Sequence, residues 1–86
     1  MADAAIEIQN RLVAAVAARQ RGQLADELRL LDEALAIKPD DPIALNARGM
    51  RALTDNQPKH AADYFSRAAA IEPKEPTLWM NLASAA

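Results

Sequence analysis

Between Asp26 and Pro39 the chain reads Asp-Glu-Leu-Arg-Leu-Leu-Asp-Glu-Ala-Leu-Ala-Ile-Lys-Pro, and it then repeats this pattern at a fixed distance. One constant step along the chain takes Leu31 to Phe65, Ala34 to Ala68, Ala36 to Ala70, Ile37 to Ile71 and Pro39 to Pro73. The same step takes Pro42 to Pro76, Leu45 to Trp79 and Gly49 to Ala83. A fixed period of this length means that one supersecondary unit recurs, and that a unit too small to bury its own apolar faces stacks on the next. Together with the helix signals and the resemblance given below, the period leads to an expected fold that is all-α, an antiparallel helix-turn-helix solenoid of about five helices in one domain spanning residues 1–86. Its units are repeat 1 (about 8–41), repeat 2 (42–75) and a partial repeat 3 (76–86).

Local signals place the helices. From about Asp3 to Gln20 runs a stretch of good helix formers with Ile8, Leu12, Ala15, Val16 and Arg19 at helical spacing, and Asp3 is placed to cap it. Gly22 closes this helix by supplying positive φ. Leu24 to Ile37 forms a second helix, apolar on two adjoining faces, and Pro39 ends it by pushing its predecessor out of the helical region. Asp41 is the N-cap of the third, and Pro42 takes the first helical position, where a missing N–H is harmless. That helix runs to about Thr54, with Gly49 and Ala52 allowing close approach. Asn56 stands where the first unit has Gly22 and tolerates the left-handed conformation. Pro58 opens a fourth helix to about Ile71, and Pro76 a fifth to about Ser84.

The unit resembles a tetratricopeptide repeat, a helix-turn-helix with a period of about 34 residues. Leu45, Gly49, Ala52, Asn56, Ala61, Phe65, Ala68 and Pro73 fall at that family's positions in repeat 2, and Gly22, Leu31, Ala34 and Pro39 in repeat 1. Counting back from Gly22 puts Arg11, not Leu12, at the first bulky position, so either the first helix is one residue out of register, the favoured reading, or the N-terminal helix is atypical, as terminal repeats often are. Glu27 and Arg48 replace small or apolar residues of the family pattern. Each therefore either snorkels to water or is paired, Glu27 with Arg48 or Arg11.

Composition closes off several chemistries. A chain of 86 residues buries roughly 60–65% of its unfolded surface, and with one Phe, one Tyr and one Trp it lacks a thick aromatic core. The net charge of −2 gives no electrostatic case for a nucleic-acid partner. No uncharged apolar run approaches the roughly 18 residues that span a membrane, so no membrane partner is expected. Without cysteine there is no disulfide framework or thiolate site, which fits a cytoplasmic location; Met1-Ala2-Asp3 does not begin a secretory leader. His60, the only histidine, has no ligand cluster and reads as a solvated surface residue. Ser66 and Ser84 have no nucleophile-elbow pattern, and neither of the two glycines belongs to a phosphate loop. No catalytic residue, metal or cofactor is expected.

What the resemblance implies is a protein-interaction scaffold that holds a partner protein or peptide on the concave face made by the first helix of each unit. That face would carry Leu12, Val16 and Arg19, then Ile43, Asn46, Met50 and Leu53, then Thr77 and Met80. In a subtype that clamps a C-terminal carboxylate, the corresponding positions are Leu12, Val16, Ala47, Thr77 and Asn81, of which Asn81 alone matches in chemistry, so that activity does not carry over. An alternative role is the non-catalytic N-terminal arm of a larger enzyme, such as a bacterial aspartyl/asparaginyl hydroxylase-like protein or a transferase. Leu78, Trp79 and Leu82 would form an open apolar edge at Ala86, and a homodimer through this C-terminal helix is expected.

Overall fold

The structure, a computed structural model, describes residues 3–71. These residues form helices joined by short turns, and among them there is no strand. The chain divides into two compact units, with the boundary between Pro39 and Asp40. The first holds α1 (Ala4–Gln20) and α2 (Leu24–Ile37); the second holds α3 (Pro42–Thr54) and α4 (Pro58–Ile71). Within each unit the two helices pack on one another as a hairpin. The fifth helix expected from Pro76 lies outside the described residues.

The helix ends follow from local chemistry. The Asp3 carboxylate accepts from the Ala5 backbone N–H at 3.0 Å, and Asp41 does the same for Ala44 at 2.9 Å. Each satisfies a donor that the first helical turn leaves orphaned. At the other end, α1 closes with the Gln23 N–H donating to the Ala18 carbonyl at 2.8 Å and the Gly22 N–H to Arg19 at 3.0 Å. This pair of bonds is the Schellman arrangement, and it needs a left-handed residue at Gly22, whose φ is +74°.

The second hairpin repeats this geometry atom for atom. One repeat period on, the Gln57 N–H donates to Ala52 at 2.8 Å and the Asn56 N–H to Leu53 at 3.0 Å. Asn56 takes φ 58°, the one non-glycine residue with positive φ among those described. The bounds of α2 and α4 are also one period apart at both ends, as are the C-termini of α1 and α3. The slip expected in the first helix is therefore absent. Arg11 does occupy the position of Leu45, and α1 differs instead by extending one turn further towards the N-terminus.

Burial follows the same offset. Ala15 and Gly49, Ala18 and Ala52, Leu31 and Phe65, and Ala34 and Ala68 are buried in both hairpins. Ala36 and Ala70, which also repeat, are exposed in both. The second hairpin closes around Phe65, which is fully buried with Ala52 and Ala61 and has Ala62 packed beside it. A Cβ placed on Gly49 would stand 2.5 Å from Cε1 of Phe65, so the ring lies where only hydrogen fits on α3. In the first hairpin Ile8 is buried with Ala15, Ala18, Leu31 and Ala34. Arg11 stays half-buried there because it has partners. Its Nε donates to Glu33 at 3.2 Å across the hairpin and a terminal nitrogen donates to the Glu7 carbonyl, while Glu33 also holds Arg29 at 2.6 Å.

Candidate functional site

The two helices of each hairpin present different surfaces to water. On α2 the exposed residues include Asp26, Arg29 and Asp32, and on α4 they include Lys59, His60, Asp63 and Arg67. These faces are laced by ion pairs, Arg29 with Asp26 at 4.0 Å and with Glu33, and Arg67 with Asp63 at 3.8 Å. Among the exposed residues of α1 and α3, by contrast, only Arg19 is charged. A solvated helix face normally carries charge; a large apolar, uncharged one marks a surface with another use.

On α3 that surface is built from Ile43, Asn46, Met50 and Leu53, spaced i, i+3, i+7 and i+10 and therefore on one face. Ile43 is 68% exposed, Met50 39% and Leu53 37%, with Asn46 half-buried among them. The face exists because α3 turns Ala44, Leu45, Gly49 and Ala52 inward, which leaves the next stripe round the helix outside the buried core. On α1 the residues one period before Asn46, Met50 and Leu53 are Leu12, Val16 and Arg19, with Leu12 half-buried and the other two exposed. Each helix thus brings its own expected site residues to one face. Thr77 and Met80 lie outside the described residues, as do Leu78, Trp79 and Leu82.

The charges that replace small or apolar residues of the repeat pattern resolve in part. Glu27 is buried, at the place where the second hairpin has the fully buried Ala61. The Arg11 guanidinium is held by Glu33 and the Glu7 carbonyl. Arg48 sets its guanidinium 5.1 Å from the centroid of the Tyr64 ring, and Arg67 approaches the same ring at 5.9 Å. Nη1 of Arg48 is itself buried, so this cation lies against the aromatic face and does not reach out to water, and the ring contact offsets part of the cost of that burial.

Sequence reasoning missed three residues. Arg51 is buried, its Nε donating to both carboxylate oxygens of Asp55 at 3.0 and 3.1 Å. The signal was the i, i+4 spacing of Arg and Asp across the end of a helix. Ile6 and Val13 stand exposed on α1, and their i, i+7 spacing was legible. His60 is exposed, and among the described residues no group of three His, Asp or Glu side chains is placed to hold a metal ion. No helix among them is long and apolar enough to cross a membrane. Compared with known proteins, the chain matches no family model, no curated sequence and no solved structure.

Proposed function

We propose that this chain is a helical-repeat interaction module of the tetratricopeptide kind, acting by binding a partner protein or peptide and not by catalysis. The observation that carries the reading is the outer face of α1 and α3, on which Arg19 is the one exposed charge, set against the charged outer faces of α2 and α4. Such asymmetry is what a module needs if the first helix of each unit receives the ligand and the second faces water. Two further features support it: the hairpin geometry recurs at the repeat period down to individual hydrogen bonds, and the positions expected to bind share one face on each helix. In this reading Leu12, Val16 and Arg19 serve on the first unit and Ile43, Asn46, Met50 and Leu53 on the second, where Met50 contributes an adaptable, polarisable contact.

The test is a peptide array probed with the full chain, followed by titration of the best peptides. Binding is expected to be lost on Met50→Glu and kept when Lys59 and Arg67 on α4 are both changed to Glu. An array without a ligand, or binding that follows α4 and ignores Met50, overturns the reading.

A further inference from the structure

The outer face of α1 has a feature that α3 lacks. Ile6, Val13 and Val16 are 55%, 63% and 56% exposed, and with the exposed Gln9 and Gln20 they fall at positions 6, 9, 13, 16 and 20. That alternating three- and four-residue spacing is the seam of a helix that packs along another helix. One repeat period on, Ile6 and Val13 become Asp40 and Ala47, so the seam belongs to the first hairpin and not to the repeat. Ile6 sits on the additional N-terminal turn of α1. The hairpin does not use this seam, since α1 buries Ile8, Ala15 and Ala18 on its other side.

We propose that the α1 seam docks a second copy of this chain, the two α1 helices running antiparallel about a twofold axis. Setting Ile6 level with Val16 of the second copy brings Gln9 level with Val13, and the same pairs recur on the other side of the axis. Each valine or isoleucine then meets an apolar or uncharged side chain. The flanks agree in charge. Asp3 and Arg21 share one side of the seam at opposite ends of α1, so antiparallel packing brings the Asp3 end of each helix to the Arg21 end of the other. A parallel pair would bring the two Asp3 ends together, and likewise the two Arg21 ends. Antiparallel packing also opposes the helix dipoles. A helix of this length is about 25 Å long, so the contact is smaller than a standard interface of about 1,600 Å² and the dimer is a weak, reversible one. This inference goes beyond the binding of a foreign partner and shares only Val16 with that face.

Sedimentation equilibrium of the full chain from micromolar to millimolar concentration tests it. A monomer–dimer equilibrium is expected, and Val13→Glu, which sets a carboxylate into the seam, should weaken it by more than about tenfold without loss of helicity. Arg21→Glu should weaken it as well, and the loss should shrink in high salt. Mixed Ile6→Cys and Val16→Cys chains should cross-link to each other in preference to themselves, which a parallel pair does not allow. A chain that stays monomeric throughout, even one whose seam accepts a foreign helical peptide, overturns the proposal. So does a dimer that ignores Val13→Glu and is lost on Trp79→Glu.

Discussion

A methyl group on Gly49 would have to occupy space held by the Phe65 ring, 2.5 Å from Cε1. Replacing a helical glycine by alanine ordinarily gains about 1 kcal/mol in propensity. Here the clash should prevail, because Phe65 is fully buried and has no free side to move into. Gly49→Ala is expected to destabilise the chain by about 1–3 kcal/mol in urea unfolding, the usual cost of overpacking. Placing it in a Phe65→Leu background should remove most of that penalty, a coupling that a double-mutant cycle measures. Phe65→Ala should itself cost about 3–5 kcal/mol. A loss below about 1 kcal/mol would mean that the second hairpin is not built around this ring.

The two turns between paired helices have the same geometry and different residues at the left-handed position. Gly22 takes φ +74° without a Cβ penalty, whereas Asn56 takes φ 58° with one. Asn56→Gly is therefore expected to stabilise, or at least not to harm, while Gly22→Ala should cost about 1–2 kcal/mol although nothing lies within 4 Å of its Cβ site. Thermal unfolding of the pair separates backbone strain from packing, since Gly22 has the strain alone and Gly49 the clash alone. Asp41 carries a second element-level expectation. Asp41→Ala removes the bond to the Ala44 N–H and should cost about 0.5–2 kcal/mol, read from the same melts.

For the molecule as a whole, the decisive variant is Met50→Glu. Met50 lies on the outer stripe of α3 and is more than a third exposed, so circular dichroism and the melting temperature should change little. Partner binding should fall by at least about tenfold, because a carboxylate would then sit in the middle of an uncharged apolar face. Unfolding of this variant would instead mark Met50 as part of the core. Leu53→Glu should behave in the same way, and Asp63→Lys on the charged face of α4 should not.

Where the helices begin and end was legible in the order of amino acids alone, because the signals are local. Asp3 and Asp41 cap, Pro42 and Pro58 open, Gly22 and Asn56 reverse the chain, and each acts on backbone within about one helical turn of itself. The repeat period likewise announced two hairpins of one design, with Leu31 and Phe65 at equivalent buried places. Which stripe of α1 goes inward was settled by packing between helices. Ile8, Ala15 and Ala18 compete with Ile6, Val13 and Val16 at equally helical spacing, so periodicity alone cannot choose between them. The small Ala15 and Ala18 lie inward because they let α2 approach, which leaves the bulkier valines in water. The fate of the charges was also non-local. Arg11 fills the place of a leucine because Glu33, 22 residues away in sequence, lies across the hairpin to receive it, and a contact at that separation is fixed by the fold and not by its neighbours along the chain.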